Sequence, residues 1–174
     1  KVVVGICGYF GERIAVMAER AGGAVTRVQA PWGSPTDFAA VESAVRAAGN
    51  VKVIAIVHAE TSTGVLTPVE PFAKLAREHG ALLLVDCVTS LGGVPVTVDA
   101  WGADAVYSGT QKCLSAPPGM APLTMSPRAW DAIKAREVPC NSWYLDLSLL
   151  EAYWDERRAY HHTAPISMVY ALHE

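Results

Sequence analysis

The stretch "VKVIAIVHAETSTG", Val51 to Gly64, begins as an unbroken apolar run and ends in small polar groups. The run does not alternate apolar with polar, so both faces of the strand it forms are expected to be buried. A strand buried on both faces belongs to a parallel sheet covered by helices on each side. Working outward, "KVVVGI" (1–6) and "AVTRVQA" (24–30) read as strands. Between and after them, "GERIAVMAERAGG" (11–23) and "SPTDFAAVESAVRAAG" (34–49) read as helices, the second capped by Ser34 or Thr36 and stopped at Gly49. Downstream, "TPVEPFAKLAREHG" (67–80) carries a capping-box pattern, with Thr67 as cap, Pro68 opening the helix and Glu70 reaching back. "ALLLVD" (81–86) and "ADAVYSG" (103–109) are two more strands. Strands alternating with helices in this way predict an α/β fold, a three-layer, mostly parallel, doubly wound sheet.

Beyond Lys112 the pattern changes. "SAPPGMAPLTMS" (115–126) reads as a proline-rich turn into a further strand, and "SPRAWDAIKARE" (126–137) as a helix begun by Ser126 and Pro127. From Val138 come three aromatic-rich segments read as irregular, "NSWYLDLSLL", "EAYWDERRAY" and "HHTAP", and then a helical pattern, "SMVYALHE". Aromatics of this density suit an interface, and packing onto the sheet explains them equally well.

Residues 1–174 are expected to form a single domain, long enough to bury a core. Apolar residues make up 51%, charged residues 18%, and the mean hydropathy is +0.23. That excess points to surface covered by another subunit or by further chain, since both ends look cut. No apolar run approaches the roughly 18 residues of a membrane span, so no membrane partner is expected. A net charge of −3 without a basic cluster argues against nucleic acid. The four cysteines, Cys7, Cys87, Cys113 and Cys140, form no CxxC pair. A reduced thiol set and a cytoplasmic setting are expected, although a peroxisomal or mitochondrial address on missing ends would change the compartment.

In an open parallel sheet, ligands bind outside the carboxyl ends of the strands. Four polar clusters fall there: "CGYFG", "HAETSTG", "DCVTS" and "SGTQK". Asp86, behind "LLLV", would stay ionised only with a cation close by, and a protonated pyridine nitrogen is one. Lys112 can attack an aldehyde, and an ion pair with some carboxylate is its bland explanation. Phe10, between Gly8 and Gly11, can lie against a heteroaromatic ring if those glycines let the backbone approach, or can be a plain core residue. Ser108, Thr110 and Gln111 offer short polar groups to phosphate oxygens, or serve the turn. An acid for a ring nitrogen together with a lysine for an aldehyde is what pyridoxal phosphate (PLP) catalysis requires. A dinucleotide site is disfavoured, because Gly5, Gly8 and Gly11 do not follow GxGxxG spacing. Adjacent His161 and His162 rarely hold one ion, and no metal site is expected.

The motifs "GYFGER", "HAETSTGV", "LLLVDCVTSLGG", "YSGTQKCLSAPPG", "SWYLDL" and "YHHTAP" occur in that order. Together they resemble the alanine–glyoxylate and serine–pyruvate aminotransferases, class V enzymes of PLP fold type I. The resemblance implies that Lys112 forms the Schiff base and moves the proton, and that Asp86 holds the ring nitrogen. It also implies Val88 and Phe10 against the ring, Thr61 near the ring oxygen and Gln111 on the phosphate. Tyr160 and Thr163 would reach the phosphate of the neighbouring subunit in a homodimer. The implied reaction passes an amino group from alanine or serine to a 2-oxo acid such as glyoxylate or pyruvate. In that family a glycine-containing phosphate loop lies upstream of residue 1, and a small domain with the substrate-carboxylate arginine lies downstream of residue 174. Other class V enzymes, a lyase or an aminoethylphosphonate transaminase, share the Asp and the Lys. A non-catalytic piece keeping only fold and dimer surface is the other alternative.

Overall fold

Five apolar runs form parallel strands in the computed structural model, which describes residues 1–174. They are β1 (Val2–Ile6), β2 (Val25–Gln29), β3 (Val53–Val57), β6 (Leu82–Asp86) and β7 (Ala105–Tyr107). A sixth strand, β8 (Leu123–Met125), joins β7 antiparallel at the edge, and the order across the sheet is β2-β1-β3-β6-β7-β8. Short β4 (Ala59–Glu60) and β5 (Val65–Leu66) pair as a small hairpin that closes the "ETSTG" turn. The strand order reverses between β1 and β3, and that reversal opens a crevice at the carboxyl edge.

Alternation along the strands divides the core between two layers. Val3, Ile54, Ile56, Leu83 and Val85 face one side, packed by Val41 and Val45 of α2 (Phe38–Ala48) and Phe72, Leu75 and Ala76 of α3 (Glu70–Glu78). Their neighbours Val4, Ile6, Ala55 and Val57 face the other side, against Ile14 and Ala15 of α1 (Tyr9–Arg20). The unalternating runs are therefore two alternating sets, each covered by its own helices. The fold class expected from the sequence is the one observed.

Several local readings differ. The cap of α2 is Asp37, whose side chain accepts from Ala39 N at 3.0 Å, and not Ser34 or Thr36. Helix α3 starts three residues after Thr67, behind Val69 with no side-chain cap, so the capping box does not form. The Thr67 hydroxyl lies in the core instead, accepting from Thr36 N at 3.4 Å. A tertiary donor has outcompeted the local one. A short helix, α4 (Val98–Trp101), precedes β7, and Trp101 on it is buried against the core. Helix α5 (Pro127–Lys134) is capped by Ser126 as its sequence indicates, the hydroxyl accepting from Ala129 N at 3.2 Å. The segment read as irregular contains α6 (Leu147–Trp154), capped by Asp146, before the closing helix α7 (Ile166–His173). Neither α6 nor α7 buries a residue, which is why no helical stripe marks α6. No helix is long and apolar enough to cross a membrane.

Candidate active site

The loops leaving β1, β3, β6 and β7 surround a cavity of about 430 Å³. Phe10, Thr61, Asp86, Val88, Gln111 and Lys112 all line it, together with Arg13, Thr89 and Tyr107. Six of the eight cofactor residues expected from the sequence are thus brought to one place from four separate stretches of chain. A larger cleft of about 760 Å³ lies between α5 and α6, but its lining is a solvated mixture that includes the Lys134–Glu151 ion pair. Volume alone does not mark the site.

Asp86 ends β6 on the cavity side and is nearly inaccessible to solvent. Its Oδ1 accepts from Val88 N at 2.8 Å and its Oδ2 from the Tyr107 hydroxyl at 2.6 Å. Tyr107 stands opposite Asp86 in the parallel β6–β7 register, so the sheet itself delivers the donor. Burial pushes the Asp86 carboxyl above its ordinary range, against the opposing pull of these two hydrogen bonds and of the nearby Arg13 charge. Burial likewise pushes the Tyr107 hydroxyl up, aided by the Asp86 charge, so the phenol keeps its proton and donates. Cys87, on the opposite side of the strand from Asp86, is pushed by burial up to about 11 and is an inert core thiol.

Lys112 is half-buried on the cavity wall and makes no ion pair, which removes its bland explanation. The hydroxyls of Ser108 and Thr110 do serve the turn: they donate to Cys87 O at 3.1 Å and to Pro117 O at 2.5 Å. Gln111 stays exposed at the rim. Thr61 shares a short hydrogen bond with the Thr89 hydroxyl across the mouth. The glycines beside Phe10 have other tasks than approach to a ring. A Cβ on Gly11 would sit 3.0 Å from Ile6 Cα, where α1 crosses β1, and one on Gly8 would sit 2.5 Å from the Glu60 side chain. Phe10 itself is half-buried and carries the Arg13 guanidinium 4.9 Å from its ring centre.

A family model described as aminotransferase class-V matches residues 2–174. The chain belongs to the class-V aminotransferases. Among curated relatives, (S)-ureidoglycine–glyoxylate transaminase of Bacillus subtilis (strain 168) is 41% identical over 99% of the chain and 46% of its own length. Alanine–glyoxylate aminotransferase of Oryctolagus cuniculus is 39% identical over 99% of the chain and 44% of its own length. The crystal structure of alanine–glyoxylate aminotransferase from Nostoc sp. superposes with a TM-score of 0.94 at 48% identity, over 98% of the chain and 45% of that one. The chain therefore spans about half the length of the class-V relatives it matches.

Two of the expected residues lie outside the cavity. Tyr160 is 75% exposed, and its hydroxyl shares a hydrogen bond of 3.0 Å with Thr163. His161 is held by a stack on Trp143 at 4.3 Å and a 3.2 Å bond to Trp143 O, so the histidine pair has a packing role. Sequence reading missed Glu60, Arg13, Tyr107 and Thr89. Tyr107 alone carried a usable signal, since its place at a strand end beside Asp86 follows from the predicted sheet order.

Proposed function

We propose that this chain forms the cofactor-binding part of a PLP-dependent aminotransferase that exchanges an amino group between alanine or serine and glyoxylate or pyruvate. The observation that carries the reading is the pairing of Asp86 and Lys112 in one cavity, a buried carboxylate and an unpaired amine. The residues present fit the cofactor chemically: an acid for the ring nitrogen, an amine for the aldehyde, Phe10 and Val88 for the ring faces. When bound, PLP supplies an aldehyde for amines and a ring that draws electrons from the substrate's Cα.

Asp86 is suited to hold a ring N–H because Val88 N and Tyr107 already fix its plane. Its reluctance to carry an uncompensated charge favours a cation against it. Lys112 Nζ would take the proton from the substrate's Cα and deliver it to the cofactor carbon. Gln111 is suited to a phosphate oxygen and Thr61 to the ring oxygen, with Thr89 holding the Thr61 hydroxyl. Tyr160 and Thr163, exposed and bonded to each other, would serve the phosphate of a second copy in a homodimer. The substrates follow the relatives whose names join alanine or ureidoglycine with glyoxylate.

The test is to add PLP, reduce with borohydride, digest and locate the pyridoxyl mass. It is expected on the peptide holding Lys112 and absent in Lys112→Ala. Label spread over surface lysines in wild type and variant alike would overturn the assignment. Turnover of alanine with glyoxylate then tests the substrate class.

A further inference from the structure

Helix α1 begins at Tyr9, and its cap residue Gly8 has no side chain to offer. Its first amides are nonetheless all partnered. Glu60, which lies some 50 residues away in sequence on β4 and is 1% exposed, accepts from Phe10 N at 3.1 Å and Gly11 N at 3.2 Å through Oε2. Its Oε1 accepts from Ser62 N at 3.1 Å and from the Ser62 hydroxyl at 2.7 Å. The Ser62 oxygen in turn accepts from Tyr9 N at 2.9 Å. Every group aimed at this side chain is a donor, and a carboxylate only accepts. No cation pairs with it; the orphan N–H groups and dipole of the helix take that place.

We propose that Glu60 is a positioning residue for the cofactor site, setting where Phe10 stands while never touching the cavity itself. This rests on the PLP reading above. Phe10 follows β1 and Thr61 follows β3, the two strands that flank the reversal in strand order. Glu60 is bonded to the backbone of the first and is the chain neighbour of the second, so one carboxylate ties both walls of the crevice together. Gly8 is the second half of the device. A Cβ there would lie 2.5 Å from both Glu60 Cγ and the Ser62 hydroxyl, so the close seating of Glu60 requires a residue with none. The arrangement also occupies the start of α1 with a carboxylate, which directs a phosphate elsewhere, toward the Gln111 side.

The experiment is a double-mutant cycle on PLP affinity, titrated by absorbance in wild type, Glu60→Gln, Phe10→Leu and the double variant. Each single change is expected to weaken PLP roughly tenfold, and the double no more than Phe10→Leu alone. Effects that multiply would mean Glu60 does not act through Phe10 and would overturn the proposal. Amide hydrogen exchange without PLP reads the cap directly: Phe10 and Gly11 should exchange faster in Glu60→Gln while Ala15 stays protected. Unchanged Phe10 and Gly11 exchange would also overturn it. Where Glu60→Gln fails to fold, Ser62→Ala in the same cycle replaces it, with a smaller effect in the same direction. If wild type takes up no PLP, the cofactor reading fails and this inference with it, whereas uptake by wild type and unaltered affinity in Glu60→Gln sinks the inference alone.

Discussion

Asp86 is a residue whose proposed function opposes the stability of the fold. The folded chain raises its carboxyl, chiefly by burial, above the ordinary aspartate value of 3.8. A carboxyl raised on folding stabilises the fold only while protonated, below that ordinary value, and the contribution is lost as pH rises through the folded value. Near pH 7 the ionised, buried group is a cost. Asp86→Asn is therefore expected to be more stable than wild type at pH 7 in thermal melts without cofactor, by about 2–4 °C for each kcal/mol recovered. The Tyr107 hydroxyl can turn to accept from the new amide, so the hydrogen-bond pair survives the change. The gain should shrink as the pH falls through the raised folded value, where the native wild type takes up its proton, and vanish below the ordinary aspartate value. A variant less stable at pH 7 would show that the Tyr107 and Val88 hydrogen bonds outweigh burial. PLP binding should weaken in the same variant, the trade expected where a site is kept strained for use. The sequence made Asp86 legible because an acid directly behind "LLLV" has no cheap explanation. Glu60 was not legible: a glutamate in a polar turn reads as solvated, and only the fold brings it beneath α1.

At the scale of elements, the far edge of the sheet is held by Asp104, whose side chain is 3% exposed. Its Oδ2 accepts from Leu83 N of β6 at 2.9 Å, and its Oδ1 from the Ser126 hydroxyl at 2.8 Å. Ser126 caps α5, so one carboxylate joins a central strand to the helix that follows β8. Asp104→Ala would leave a buried amide unpaired and loosen that cap, a loss of about 2–4 kcal/mol. Urea unfolding of Asp104→Ala and Asp104→Asn checks it: asparagine returns an acceptor and should recover part of the loss. Equal midpoints for wild type and Asp104→Ala would remove Asp104 from any structural role. Elements were readable where local and tertiary demands agree, as in the strands and in Ser126 with Pro127. They were unreadable where they conflict. Thr67 had the spacing of a cap, yet burying its hydroxyl in the core beside Thr36 N left α3 to start at Glu70. Helix α6 lacked a stripe because none of its residues is buried.

At the scale of the whole molecule, burial stops early. Past Ala129 only His161 is buried, while Trp143, Tyr144, Leu145, Trp154, Tyr160, Ile166 and Tyr170 are each 58% exposed or more. Aromatic surface of this extent is the composition of an interface core. In the twofold dimer proposed above the same patch would serve both copies, and each copy would lend Tyr160 and Thr163 to the other's cavity. That arrangement makes a prediction no single chain can satisfy. A Lys112→Ala chain lacks the amine but keeps Tyr160 and Thr163, and a Tyr160→Ala/Thr163→Ala chain keeps the amine but lacks the phosphate contacts. Each alone should give little borohydride-fixed PLP at limiting cofactor. Mixed and re-annealed at equal amounts, half the dimers carry one of each, and one site in each such dimer is whole, so about a quarter of the wild-type label should return. The label should sit on the Tyr160→Ala/Thr163→Ala chain, because that chain supplies Lys112. Label no greater than the sum of the separate variants would mean that Tyr160 and Thr163 act within their own chain or not at all. The exposed tail would then owe its aromatics to something other than a shared site.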